Sequence, residues 1–106
     1  MGRGDAQHVF ALLAEPNRSR IIDLLHTRER PVSDLVTALD VSQPAVSKHL
    51  RVLRQAGLVE PRVDAQRRLY RVRPEPLREL DAWLAPYRAL WTESLDKLEH
   101  HLEDMT

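Results

Sequence analysis

Gln43, Ser47, Lys48, Arg51 and Arg54 recur at spacings that put them on one side of a helix. With Pro44 they oppose Val46, Leu50 and Leu53, which stand at i, i+4 and i+7. A glutamine amide pairs bidentately with adenine, a lysine ammonium donates to guanine, and a serine hydroxyl is permissive. Gln43, Ser47 and Lys48 are therefore candidates for reading base edges of duplex DNA, with Ser42, Pro44 and Arg51 beside them at the same surface. Arg67, Arg68 and Arg62, together with Arg18 and Arg20 further upstream, are candidates for neutralising phosphates.

Other chemistries lack their parts. The sequence of 106 residues contains no cysteine, which excludes disulfides, thiolate metal ligation and a cysteine nucleophile. Its three glycines form no phosphate-binding loop, and no complete His/carboxylate constellation is present, so the chain is not expected to be an enzyme or to need a cofactor. No apolar run approaches the roughly 18 residues of a membrane span. Met1 to Asp5 reads as neither a signal peptide nor a myristoylation site, because Ala6 stands where Ser or Thr is required. A cytoplasmic location is expected.

Sixteen basic and sixteen acidic residues cancel overall, but they are not evenly spread. Residues 1–41 carry five basic and six acidic groups, residues 42–73 eight and two, and residues 74–106 three and eight. The middle third is a cation, the footprint of a surface that faces phosphates.

The elements that must position these residues follow from periodicity and punctuation. Val9, Phe10 and Leu13 predict a first helix over 6–14, and Pro16 suits the first turn of a second, which Arg28–Arg30 and Pro31 stop. A third helix is expected from Ser33 to Leu39 with Ser33 as its cap, then a turn at Asp40 and Val41. Ser42 caps the fourth, Gln43 to Ala56, and Gly57 ends it. Residues 58–63 and 68–73 read as a hairpin joined through Asp64–Arg67, with Pro61 marking an edge strand. From Glu75 onward Leu77, Leu80, Leu84, Tyr87, Trp91, Leu95, Leu98 and Leu102 form an apolar seam. Pro86 predicts a break in it, giving helices near 76–85 and 87–104.

That order is a mainly α fold with a small β-hairpin wing (α+β), a winged helix-turn-helix: one domain over 1–106, with the helix-turn-helix at 33–57, the wing at 58–73 and C-terminal helices at 75–104. The chain also resembles the ArsR/SmtB family of bacterial transcriptional repressors. The resemblance is carried by LLAEPNRSRIIDLL, by SQPAVSKHLRVLRQAGLV with its cap, core positions and stop in one spacing, and by RRLYRV. It implies a homodimer that occupies a palindromic operator and blocks transcription, often of its own operon. Family dimers associate through the first and last helices, which here would bring together Val9, Phe10, Leu84, Tyr87, Trp91, Leu95, Leu98 and Leu102.

Metal-sensing members carry a cysteine pair near the third helix, and the corresponding RPVSDLVTALD has none. A second metal pattern of the family, on the last helix, survives in His100 and Glu103, whereas Tyr87 and Ala89 occupy its earlier positions. No metal site is expected; Asp5 and His8, meeting His100 or His101 and Glu103 across a dimer, are the nearest approach to one. A metal-responsive repressor using such ligands and a winged-helix protein-docking module are the alternatives to a DNA-binding repressor, and the effector is undetermined. His49, on the flank of the apolar stripe, reads as a structural histidine, His26 as a complement to a helix dipole, and Trp83 and Trp91 as core or interface anchors.

Overall fold

Glu15 begins the second helix of the chain by accepting the Arg18 backbone N–H on its carboxylate at 3.0 Å. The computed structural model describes the backbone of residues 2–104 and the side chains of residues 6–104. Helix α1 spans Gly2–Leu13 and α2 spans Pro16–Thr27, with Pro16 in the first turn, where its missing N–H costs nothing. Arg30 closes the far end of α2, donating from Nε to the Leu24 carbonyl at 2.9 Å and from Nη2 to Thr27 Oγ1 at 2.8 Å.

Arg30 and Pro31 then form a strand that periodicity could not reveal, β1 (Arg30–Pro31). It pairs antiparallel with β3 (Arg67–Val72), which also pairs with β2 (Val59–Asp64), giving a three-stranded sheet in the order β1-β3-β2. The expected hairpin is thus present with an added edge, and Pro61 does lie on an outer strand, opposite Tyr70. Asp64 pairs with Arg67, so the turn is Ala65 and Gln66 alone, with Ala65 at a φ of 59°.

Helix α3 (Val32–Leu39) starts one residue earlier than expected. Its cap position is Pro31, which makes no side-chain cap hydrogen bond; Ser33 already lies inside the first turn and cannot be the cap. Asp40 turns the chain at a φ of 55°, left-handed geometry that a short polar side chain tolerates. Helix α4 (Gln43–Gln55) opens on Ser42, whose Oγ accepts the Ala45 N–H at 3.2 Å. Gly57, at a φ of 77°, lets the Leu58 N–H return to the Leu53 carbonyl at 2.9 Å.

These elements converge on one core of Val9, Leu12, Ile21, Leu25, Leu35, Leu39, Val46, Leu50, Leu53, Leu58, Val59 and Tyr70. The last helix, α5, runs unbroken from Glu75 to Asp104 through Pro86, which overturns the expectation of two helices. Proline removes one hydrogen bond and crowds the carbonyl four residues back, a cost of about 3 kcal/mol that many further turns can offset. Ala82 and Pro86 are exposed, and Arg88 braces the turn by donating to the carbonyl and the carboxylate of Asp81.

No residue of α5 is buried. Thirty residues at about 1.5 Å each form a rod of roughly 45 Å. The chain accordingly has a radius of gyration of 18.0 Å, against about 13 Å for a compact domain of similar length. No helix among the described residues is long and apolar enough to cross a membrane.

Candidate nucleic-acid interface

The amphipathic division of α4 is complete. Val46, Leu50 and Leu53 are buried, while Gln43, Pro44, Lys48, Arg51 and Arg54 are exposed and Ser47 is half-buried. Because side chains alternate along a strand and paired residues share a face, the wing also has two sides. Arg68, Tyr70 and Val72 lie with Val59 on the side turned toward α4. Ser47, Leu50, Arg51, Arg54, Arg68 and Tyr70 together line an open cleft of about 240 Å3 between helix and wing. The Arg68 guanidinium sits 5.8 Å from the centre of the Tyr70 ring, a cation–π contact that uses none of its N–H donors. Among the described residues, the side chains of Lys48, Arg51, Arg54 and Arg67 have no hydrogen-bonding or ion-pair partner.

Other expected phosphate contacts are committed elsewhere. Arg18 donates from Nε to the Leu12 carbonyl at 2.7 Å, closing α1, and Arg20 donates to the Ala38 carbonyl at 3.2 Å. Arg62, on the side of the wing away from α4, donates to both carboxylate oxygens of Glu29, from Nε at 2.7 and 2.9 Å and from Nη2 at 2.6 Å. That hydrogen bond holds Glu29 below the ordinary carboxylate range and raises Arg62. Arg54, on the cleft, is a residue that the sequence reading placed on the polar face without assigning it a contact; its place three residues beyond Arg51 is the signal.

His49 projects from the flank of α4 toward the start of α2, with Nδ1 3.5 Å from Glu15 Oε2. This is the surrounding of a packed histidine. Burial pushes the Glu15 carboxyl up, but the N–H groups of Asn17 and Arg18 and the neighbouring His49 and Arg18 outweigh it and hold the group below its ordinary 4.5. A depressed folded pKa stabilises the fold above the unfolded value and ceases to as pH falls through the folded one. Glu15→Ala is expected to cost about 1 kcal/mol at pH 7, as a lost cap does, with the gap to the wild type narrowing below pH 4.5. Thermal unfolding of both proteins from pH 7 to pH 3 measures it.

The expected contact residues of α1 and α5 divide. Val9 belongs to the core, 3% exposed, and lies beside Ala56, Glu75, Pro76 and Glu79 where α4 ends and α5 begins, so little of its surface is left for an interface. Phe10 is exposed and meets the Trp83 ring edge-on at 5.2 Å, and Trp83 in turn lies 4.8 Å from Tyr87. Leu84 is half-buried; Tyr87, Trp91, Leu95, Leu98 and Leu102 are all exposed. Leu90 shares that exposure and was missed, since it falls beside the three-and-four spacing of the seam.

The metal candidates are not gathered within the chain. His8 lines a pocket of about 310 Å3 with Glu75 and Glu79, His100 lies 3.8 Å from Glu103 near the other end of α5, and the side chain of Asp5 falls outside the described residues. No group of three His, Cys, Asp or Glu residues able to hold a metal ion occurs among the described residues.

Helix, tight turn, polar-faced helix and basic hairpin in this arrangement define a winged helix-turn-helix protein. Residues 15–61 match the sequence model of the bacterial regulatory protein, arsR family. The chain is 42% identical over 78 residues to the arsenic resistance transcriptional regulator ArsR1 of Pseudomonas putida, covering 72% of this chain and 60% of that one. An ArsR-like transcriptional regulator from a Rhodococcus species superposes with a TM-score of 0.71 at 30% identity, covering 92% of each chain. A homodimeric winged helix-turn-helix DNA-binding domain from Mycobacterium bovis, described as a possible ArsR-family regulator, superposes with a TM-score of 0.63 at 30% identity over 89% of this chain and 84% of that one. The chain belongs to the ArsR family of bacterial regulatory proteins. It spans about three fifths of the length of the arsenic-resistance relatives it matches.

Proposed function

We propose that the chain is a cytoplasmic, sequence-specific repressor that binds a palindromic operator in double-stranded DNA as a homodimer and controls its own operon. The observation that carries this reading is the set of cations that α4 and the wing bring to one side: Arg51, Arg54 and Arg68 line the cleft, Lys48 lies on the same exposed face of α4 and Arg67 stands beside Arg68 on β3, while the other face of α4 is locked into the core. An α-helix fits the major groove, so Gln43, Ser47 and Lys48 read base edges while Ser42 and Pro44 at the helix tip approach the backbone. Arg51, Arg54, Arg67 and Arg68 hold phosphates on either side.

A second copy covers the exposed apolar side of α5, joined by Phe10. The homodimeric M. bovis relative supports that choice, as does the spread of Tyr87, Trp91, Leu95, Leu98 and Leu102 along one seam. Two copies also explain why one small chain exposes so many large apolar groups together.

Lys48→Ala and Gln43→Ala test the assignment. Each is expected to cost about 1–3 kcal/mol on the preferred duplex, taken from selection of bound genomic fragments, and distinctly less on random DNA. Equal losses on the two duplexes would remove both residues from base reading.

A further inference from the structure

The back of the wing carries a run of alternating charges that the DNA-facing side does not use. Arg62 grips Glu29 with both arms of its guanidinium, and Arg71 lies 3.9 Å from the same carboxylate. Arg71 also donates to Glu60 at 2.9 Å, Arg73 lies 3.7 Å from Glu60, and Arg73 lies 3.5 Å from Glu75. Three guanidinium groups and three carboxylates thus link the segment after α2, both wing strands and the first residue of α5.

Each exposed pair alone contributes little, but bidentate geometry and membership of a network are the conditions under which such pairs do count. Glu29 is the one member outside the wing and α5. It precedes β1, an edge strand of only two residues, Arg30 and Pro31, whose backbone pairing with β3 is correspondingly slight. The side-chain grip of Glu29 on β2 therefore crosses the sheet from edge to edge, tying both outer strands.

We propose that Glu29 is a positioning residue for DNA binding: through Arg62, with Arg71 and Glu60 behind it, it sets the angle at which the wing meets the duplex and withholds Arg62 from the phosphates. The proposal rests on the DNA-binding reading above. It assigns Arg62 to the scaffold, so the number of phosphates neutralised is independent of that residue.

Glu29→Gln, Arg62→Ala, Arg62→Glu and the swap of Glu29→Arg with Arg62→Glu separate the roles, because the swap preserves net charge while reversing the pair. The probes are the tightest-binding duplex from the genomic selection and a scrambled duplex of equal length. Glu29→Gln and Arg62→Ala are expected to weaken the selected duplex about threefold to tenfold, reflecting two modest charge pairs per dimer. Their salt slopes are expected to stay within about half a unit of wild type. The swap is expected to restore affinity to within about twofold of wild type, where Arg62→Glu alone does not.

A slope reduced by Arg62→Ala, or a swap as weak as Arg62→Glu, overturns the proposal, since either makes Arg62 a phosphate contact. Amide hydrogen exchange in β2 and β3 without DNA supplies the independent readout. It is expected to quicken in Glu29→Gln and recover in the swap, and unchanged exchange overturns the positioning role. A wild-type protein that binds neither duplex defeats the DNA-binding reading, while the exchange measurement still reports whether Glu29 orders the wing.

Discussion

Replacing Leu95 by aspartate is expected to leave the protein folded, monomeric at micromolar concentration and unable to hold operator DNA. Leu95 is 65% exposed on α5, so the substitution removes nothing from the core, and circular dichroism should retain the wild-type helicity. Within a dimer the same leucine is covered, which contributes about 1.5–3 kcal/mol per side chain. An aspartate there must instead lose its hydration against apolar neighbours, and twofold symmetry imposes that cost twice. Leu98→Asp, one turn further along, is expected to act alike. Separating the protomers also separates the half-sites, and the loss of linked binding lowers affinity by about 10² to 10⁴. Light scattering and gel-shift titration measure both effects. A Leu95→Asp protein that remains dimeric, or a wild type that is monodisperse as a monomer, would contradict the α5 interface.

Affinity for the operator is expected to fall by about 10³ to 10⁵ between 50 and 200 mM salt. The size follows from which cations are free. Of the eight basic residues in 42–73, Arg62, Arg71 and Arg73 are held by Glu29, Glu60 and Glu75. The remaining five in each protomer, doubled by dimerisation, suit a release of about six to ten counterions. Arg67→Ala, at the wing tip, is expected to weaken specific and random duplexes alike and to reduce the slope by about one unit for each phosphate contact it removes. A docking module for another protein would instead show no such slope on DNA, and a slope near zero would exclude the proposed interface.

Much of the arrangement was legible because it is written in short-range chemistry. Ser42 before Pro44 and Gly57 after the apolar stripe fix where α4 starts and stops, and the stripe itself dictates which side stays wet. The wing was equally readable as two short segments joined through Asp64–Arg67, with Pro61 marking the edge. Leu69 is less simple: as neighbours on β3, Leu69 and Tyr70 point to opposite faces, yet both are buried, and Pro31 of β1 pairs with Leu69.

Where the reading failed, the deciding neighbour was distant or the local rule was outweighed. The two residues of β1 carry no period and become a strand only because β3 comes to lie beside them. Pro86 predicted a break from its own covalent geometry, but helical turns on both sides and the Arg88–Asp81 brace carry α5 through. Val9 and Phe10 are adjacent on a periodic helix, and only the tertiary packing sends one into the core beside Ala56 and the start of α5 and leaves the other exposed against Trp83.

By itself, then, the order of residues determined the first four helices to within a few residues, the Ser42 cap and Gly57 stop of α4 and the polar face between them, since each depends on groups within about four positions of one another. Which arginines remain available was decided only by folding. A guanidinium reaches any acceptor brought near it, and for Arg62 that acceptor is Glu29, 33 residues earlier in the chain.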